Sequence, residues 1–520
     1  MDKERQPVGR VVCIYGIKVL FMFCIAFVAF ESYMYRADRM VDILPFLLVI
    51  FVTLGCLALS KFLAGKFRHI VEKYFTFFLV LYLLCTFAVQ IILGRQVRYT
   101  PMWDLGSVFD GAVSWVEQGN INDLADYFYY FPNNLGLTVL FKGYFTIVHA
   151  FWGEKTDYFI AALVLGSVVV TVFRFSVIQI SRKLFGEEYA VTAAVLLLLC
   201  FPLYFAAAVF YTDVMSMAAP ALFYLFYLYA KDAKSLQKSI VWYVLMALVA
   251  AVGMEIKFTV VIIVIAVGIE LLLRGEWKRL AIMAGVHLVV ICAVFSTVDS
   301  VVYSRLLVRE QAEKQNTPYL HWIMMGAQGN GSYSPEDYEF TRSFEDKEEQ
   351  RKALKTEIKR RYREMGIQGI LDLWKSKTIK CFGDGTYALS DFLDDEPAEN
   401  SKWNQWLLYS GNKYDIYQTL CLGVFVAVML LMLFGVIGSF GRKRVLPVEM
   451  TALWLAFLGI WIFLMLWETS ARYFTNYLSV MLVAAAFGLP YFEISLKRAM
   501  YAVRRSWRRE RNSYWSRSEQ

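Results

Sequence analysis

Residues 74–94 read YFTFFLVLYLLCTFAVQIILG, a run without a charged side chain. A helix of about 20 apolar residues spans the hydrocarbon core of a bilayer. Comparable runs recur along the 520-residue chain, which is 58% hydrophobic and 19% charged, with a mean hydropathy of +0.46. Only helices and closed barrels satisfy their backbone hydrogen bonds inside lipid, and the long apolar runs favour the helix. The sequence therefore predicts an all-α polytopic membrane protein.

About 12 transmembrane helices are expected. The predicted spans are 11–32, 41–62, 74–94, 158–180, 189–210, 214–230, 239–254, 256–273, 280–297, 415–440, 447–466 and 472–493. Basic clusters follow alternate spans, at Lys61–Lys73, Arg182/Lys183, Lys231–Lys238, Arg274–Arg279, Arg442–Arg444 and in the tail from Lys497. Since basic loops stay in the cytoplasm, these spans place both termini there, in a multi-pass protein of the cell membrane. The basic tail is expected to face anionic lipid headgroups and not nucleic acid.

This topology divides the chain into six regions. They are N-terminal transmembrane helices (1–94), a first large extracytoplasmic loop (95–157), core transmembrane helices (158–297), a mostly helical extracytoplasmic segment (298–414), C-terminal transmembrane helices (415–493) and a basic cytoplasmic tail (494–520). Residues 135–152 are apolar, but a full crossing there would send every later basic cluster outside. They also carry Lys142 and His149, which are costly to expose to lipid. We expect a re-entrant or surface helix, and a complete crossing is the alternative.

The first extracytoplasmic loop contains the acidic and aromatic stretch WDLGSVFDGAVSWVEQGNINDLADYFYYFPNN, residues 103–134. A carboxylate at the membrane surface is suited to take a proton from an acceptor hydroxyl, which makes Asp104 a candidate base and Asp110 a further candidate. The alternative for Asp104 is a helix N-cap. Tyr130, Asn133 and Asn134 belong to an aromatic cluster that predicts either a platform for sugar or isoprenoid, or an interfacial aromatic belt.

Short turns on the same predicted side carry four further charged candidates. Asp213 and Lys257 stand between apolar spans, where ionisable groups are expensive and often functional. A helix cap or a tight turn is the simpler interpretation of each. Arg472 is suited to clamp a phosphate through its planar fork, or it pairs with Glu468 one helical turn away.

Other function classes lack their signals. The eight cysteines contain no CxxC pair, and the four histidines form no metal-binding pair. No glycine-rich phosphate loop is present, so a domain for a sugar nucleotide is not supported.

In their order, these motifs resemble the GT-C fold glycosyltransferases, in particular the family 39-like group that includes protein O-mannosyltransferases and the bacterial aminoarabinose transferase. The matching pieces are Trp103-Asp104-Leu105-Gly106, Phe131–Asn134, Arg182–Gly186, Tyr211-Thr212-Asp213, Gly253–Lys257 and Trp467–Tyr473. The resemblance implies a GT-C type bundle and a polyprenyl-phosphate sugar donor.

The resemblance also implies roles for single residues. Asp104 is implied as the catalytic base, Asp213 as a second acid, and Lys257 and Arg472 as the groups that neutralise the donor phosphate. Asp104-Leu105 stands where the mannosyltransferases have an Asp-Glu pair. No cofactor is therefore certain, although a divalent metal is compatible with the family.

The predicted function is transfer of a monosaccharide from a polyprenyl-phosphate donor to an extracytoplasmic acceptor, such as a cell-wall polymer, a glycolipid or a protein. A transporter or flippase of a lipid-linked glycan is the alternative, and it favours inverted repeats and charges at mid-membrane. A non-catalytic assembly factor is a third hypothesis.

Overall fold

In a computed structural model, the structure describes residues 8–37, 43–394, 396–397, 401–440 and 450–518. The basic cluster Arg442–Arg444 lies outside these residues. The described residues are helical, apart from loops and one isolated bridge between Tyr99 and Pro397. This confirms the predicted all-α fold.

The helices have the following bounds. The first half of the chain contains α1 Val8–Ala37, α2 Leu44–Lys66, α3 Arg68–Gln96, α4 Trp103–Glu117, α5 Ala125–Tyr130, α6 Leu135–Trp152, α7 Tyr158–Phe185, α8 Glu187–Leu199, α9 Thr212–Met215, α10 Ala218–Asp232 and α11 Leu236–Ile256. The second half contains α12 Val261–Arg274, α13 Trp277–Arg305, α14 Arg309–Gln315, α15 Leu320–Met325, α16 Pro335–Arg342, α17 Lys347–Phe382, α18 Leu389–Leu393, α19 Asn404–Leu407, α20 Tyr414–Gly438, α21 Met450–Leu466 and α22 Leu478–Ser518.

Within the described residues, 10 helical segments are long and apolar enough to cross a membrane, and α6 is among them. The shorter helices α8, α12 and α21 lie in three of the predicted spans. When these three are counted as crossings and α6 is not, the number of crossings is the predicted 12.

The predicted span 189–210 is only partly α-helical. Helix α8 stops before Pro202, and the chain continues through short 3-10 turns at Phe201–Tyr204 and Ala206–Ala208. Non-helical backbone at membrane depth is tolerated where protein surrounds it, and Ala206–Ala208 are buried. Arg174 Nη1 donates to the Leu197 carbonyl, 3.0 Å away, at the end of α8. Because the span is broken, Tyr211 and Asp213 lie beyond these turns at one end of the bundle and do not continue the axis of α8.

Helix α6 is continuous and lies along one end of the bundle. Near its start, Gly136 packs so tightly against the Glu255 carbonyl at the end of α11 that an added Cβ would lie 2.1 Å from that oxygen. Near its end, His149 Nδ1 lies 2.8 Å from the Tyr158 hydroxyl at the start of α7. If successive spans cross the membrane in opposite directions, the end of α11 and the start of α7 lie at the same end of the bundle. Both ends of α6 therefore contact that one end, which is the placement of a surface helix. We call this end the site end.

The opposite end is called the tail end. Ion pairs join its turns, with Lys61 Nζ 2.7 Å from a Glu493 oxygen and Lys183 Nζ 2.5 Å from an Asp232 oxygen. Residues 306–413 form helices α14–α19, and they pack on the site end. There the Trp322 and Trp467 rings stack at 5.5 Å.

Candidate active site

Asp104 lies in the first turn of α4 and faces two tyrosines. The Tyr127 hydroxyl donates to Asp104 Oδ1 at 2.7 Å, and the Tyr211 hydroxyl lies 3.2 Å from Oδ2. The N-cap position of α4 is Met102, so the alternative of an Asp104 cap is wrong. Trp103, the preceding residue, has a φ of 55°, a strained backbone of the kind that often occurs at functional sites.

Asn134 completes a hydrogen-bonded ring with these side chains. Its Nδ2 donates to the Tyr127 hydroxyl at 2.5 Å, and its Oδ1 lies 3.1 Å from the Tyr211 hydroxyl. Burial and the charge of Asp104 raise the pKa of Tyr127, which stays a neutral donor. The ring therefore holds the Asp104 carboxylate in one orientation while leaving it partly exposed.

Asp213 is the centre of a second cluster. It is 4% exposed, and its Oδ1 forms an ion pair with Lys257, the residue that ends α11. Arg472 Nε lies 3.7 Å from Asp213 Oδ2. That oxygen accepts no hydrogen bond from the part of the chain that the structure describes. A buried carboxylate oxygen without a donor is uncommon and calls for an explanation such as a missing ligand or water.

Aromatic rings surround the two cations. The Lys257 ammonium lies 4.5 Å from the centre of the Tyr473 ring, and the Arg472 guanidinium lies 5.0 Å from the Tyr211 ring and 5.2 Å from the Phe392 ring. Tyr211 thus contacts both clusters, with its hydroxyl near Asp104 and its ring beside Arg472.

Glu468 joins this group through Tyr473, whose hydroxyl donates to Glu468 Oε2 at 3.2 Å. Burial raises the pKa of Glu468, and the charge of Arg472 opposes that rise. Arg472 turns toward Asp213, so the predicted direct pairing of Glu468 with Arg472 is not the arrangement in the structure.

A cavity opens beside the clusters. Its polar lining includes Tyr211, Asp213 and Arg472, and its apolar lining includes Leu203, Val209, Leu389 and Phe392. Charge at one side and apolar walls around it suit an amphipathic ligand with an anionic head.

A family model described as "Conserved hypothetical integral membrane protein" matches residues 12–491. The chain belongs to this family. No curated protein matches the chain significantly in sequence.

Two solved proteins are similar in structure. ArnT from Cupriavidus metallidurans, bound to undecaprenyl phosphate, is 13% identical with a TM-score of 0.36, and the match covers 80% of this chain and 78% of ArnT. The archaeal oligosaccharyltransferase AglB from Archaeoglobus fulgidus, in complex with an inhibitory peptide and a dolichol-phosphate, is 13% identical with a TM-score of 0.42. That match covers 83% of this chain and 52% of AglB. Both TM-scores lie below 0.5, so the functional proposal below is made from this chain's own side chains.

Two predicted site residues, Asp110 and Tyr130, do not contact the clusters, whereas Asn133 Nδ2 lies 3.4 Å from Asn134 Oδ1 at the edge of the first cluster. Asp110 and Asn133 have exposed side chains. The Tyr130 ring faces Arg342, whose guanidinium lies 4.0 Å from the ring centre. Asp110 and Tyr130 lie close in sequence to Asp104 and Asn134. Side chains at nearby positions of a helix nevertheless point in different directions.

Lys377 was not predicted. It is fully buried on α17, and its ammonium donates to the carbonyls of Gly326 at 2.8 Å, Met465 at 3.0 Å and Trp467 at 2.7 Å. Burial lowers its pKa to about 8. Lys377 thereby ties the loop that carries Glu468 and Arg472 to α17 and to Gly326. The sequence did not distinguish Lys377 from the many other basic residues of α17, so this role could not be predicted.

A divalent metal needs several ligand side chains close together. Among the described residues, no three His, Cys, Asp or Glu side chains are close enough together to hold a metal ion. Asp213 is already neutralised by Lys257 and Arg472, which would repel a cation. This donor set does not fit a metal.

Proposed function

We propose that the protein is a membrane glycosyltransferase. It moves a monosaccharide from a polyprenyl-phosphate donor to an acceptor on the extracytoplasmic side, with Asp104 as the base. The single observation that carries the proposal is Tyr211, which links an oriented, partly exposed carboxylate to two buried cations at a cavity.

The cations support a phosphate-bearing donor. Arg472 and Asp213 line the cavity, Lys257 is paired with Asp213, and aromatic rings lie against both cations. A cation in such a low-dielectric site stabilises developing negative charge more strongly than it would in water. Asp213 holds the two cations in place, and the apolar walls suit the first isoprene units of the lipid.

The proposed reaction is a single displacement. Asp104 takes the proton of the acceptor hydroxyl, whose oxygen forms a bond to the anomeric carbon of the sugar. The bond from that carbon to the phosphate oxygen breaks, and its electron pair leaves with the polyprenyl phosphate. Lys257 and Arg472 stabilise the charge that the phosphate gains. The configuration at the anomeric carbon is inverted.

The transporter alternative requires charged groups along a route through the membrane. In this chain, Lys257 and Arg472 instead cluster with Asp213 at the site end. This placement favours a reaction at one surface.

Asp104→Asn tests the proposal. The protein in nanodiscs is given a radiolabelled polyprenyl-phosphate hexose and a cell-envelope glycan fraction as acceptor, and labelled product is measured. We expect a loss of about 10²–10⁴-fold in rate, because amide replaces base. Asp110→Asn is the matched control on the same helix, and we expect a rate near that of the wild type because its side chain is exposed.

Two results would contradict the proposal. Equal transfer by Asp104→Asn and the wild type would remove Asp104 as the base. Movement of the labelled lipid between leaflets of a liposome, with no transfer by the wild type, would establish the transporter instead.

A further inference from the structure

Aromatic side chains extend away from Asp104 toward the extracytoplasmic segment. Tyr130 and Phe131 follow Tyr127 in the first loop, and Tyr338 and Arg342 lie on α16. Tyr333 lies just before that helix. We call Tyr130, Phe131, Tyr333, Tyr338 and Arg342 the aromatic shelf.

Contacts between the loop and the segment hold the shelf together. The Phe131 and Tyr338 rings lie 6.2 Å apart with an interplanar angle of 17°. Arg342 Nη1 donates to the Tyr338 hydroxyl at 2.7 Å, and its guanidinium covers the Tyr130 ring. The Thr317 amide donates to the Tyr130 carbonyl at 2.9 Å. These contacts fix Tyr130, Phe131, Tyr338 and Arg342 relative to one another.

The shelf is accessible and is continuous with the candidate active site. Tyr333 is 60% exposed, and Arg342 is also exposed. The Phe131 ring lies 5.3 Å from the Tyr127 ring, and the Tyr127 hydroxyl donates to Asp104. A molecule that lies on the shelf can thus reach the Asp104 carboxylate.

We propose that the aromatic shelf binds the acceptor, and that the acceptor is a carbohydrate chain. This inference rests on the proposed function. The apolar C–H face of a pyranose packs on flat aromatic surfaces, and its hydroxyls pair with the guanidinium and phenol groups that border the rings. The shelf offers both kinds of group side by side.

A peptide acceptor fits less well. Extended peptides are commonly bound by pairing with an exposed strand edge. The described residues form no strand that could provide such an edge near the shelf. The shelf instead presents side-chain rings and a single guanidinium.

Oligosaccharide binding without donor tests the proposal. Saturation-transfer difference NMR is recorded on the full chain in nanodiscs with maltotetraose and chitotetraose, and with a Ser/Thr-rich peptide in parallel. We expect at least one oligosaccharide to bind, and Tyr338→Ala and Tyr333→Ala to weaken that binding by at least 10-fold. Phe340→Ala is the matched control, since Phe340 lies on the same helix and packs on Phe344 at 5.3 Å.

A further variant and the absence of donor separate misfolding and loss of catalysis from loss of binding. Tyr338→Phe keeps the ring, and we expect it to retain binding. Binding is measured without donor, so a failure of the proposed transfer reaction leaves this result intact. The inference is overturned if neither oligosaccharide binds, if only the peptide binds, or if Phe340→Ala weakens binding as much as Tyr338→Ala.

Discussion

Two buried ion pairs at opposite ends of the bundle differ in how completely they are satisfied. At the tail end, Glu270 is fully buried, and its Oε1 accepts from Arg274 at 2.9 Å and from the Tyr227 hydroxyl at 2.9 Å. Its Oε2 accepts from the Ala452 amide at 3.1 Å. At the site end, Asp213 Oδ2 accepts no hydrogen bond from any described residue and faces Arg472 at 3.7 Å.

This difference separates a structural pair from a functional one. Every oxygen of Glu270 has a protein partner, so that pair stabilises the contact of α12 with α10 and α21. Asp213 Oδ2 leaves hydrogen-bonding capacity unused next to a cavity. An unpaired carboxylate oxygen beside a cavity can accept a hydrogen bond from a ligand hydroxyl, which the fully paired Glu270 cannot do.

Glu270→Ala should destabilise the fold most. The change leaves Arg274 without its carboxylate and removes the acceptor of Tyr227, which costs about 3–5 kcal/mol. The free energy of unfolding in detergent measures this cost. Glu310→Ala is the control, because its pair with Lys314 is exposed to solvent and we expect little change in stability. Equal losses in the two variants would break the comparison.

Lys377 should make stability depend on pH. Its pKa is about 8 in the fold and 10.5 when unperturbed, so the unfolded chain binds more protons between these values. Its contribution therefore raises the free energy of unfolding as pH increases from about 8 to 10.5, by up to about 3 kcal/mol. Lys377→Met should remove this slope in denaturation series at pH 7.5, 9 and 10. If the free energy of unfolding of Lys377→Met rises with pH as steeply as that of the wild type, other titratable groups cause the pH dependence.

Arg472→Lys should weaken lipid-phosphate binding about 10-fold or more, because lysine lacks the planar fork that pairs with a phosphate. Binding of polyprenyl phosphate to the protein in nanodiscs measures this loss. We expect the accompanying loss of stability to be smaller than for Glu270→Ala. Arg98→Lys is the control, since Arg98 pairs with Asp157 in an exposed position. Unchanged affinity in Arg472→Lys would remove Arg472 from the donor site.

Much of this arrangement could be predicted from residue order and charge. The basic clusters predicted which ends of the spans face the cytoplasm. That prediction alone placed four charged residues at one end of the bundle, namely Asp213, Lys257, Glu468 and Arg472. The structure brings these four together with Asp104. Their roles remain predictions until tested.

Other features depend on contacts between distant segments, which periodicity does not reveal. The hydrogen bond from Tyr211 to Asp104 joins residues 107 positions apart, and that from Lys377 to the Trp467 carbonyl joins residues 90 apart. The break after α8 was missed because residues 189–210 are apolar throughout, and hydropathy does not distinguish a helix from buried 3-10 turns.

Helix α6 has a consequence for the depth at which the proposed donor binds. It begins directly after Asn134, which is hydrogen-bonded to Tyr127 beside Asp104, so a surface position of α6 would place Asn134 and Asp104 at the boundary of lipid and water. The phosphate of a polyprenyl lipid rests at that same level in an undisturbed bilayer. A donor would then reach Arg472 by sideways diffusion within its leaflet, without being lifted out of the membrane.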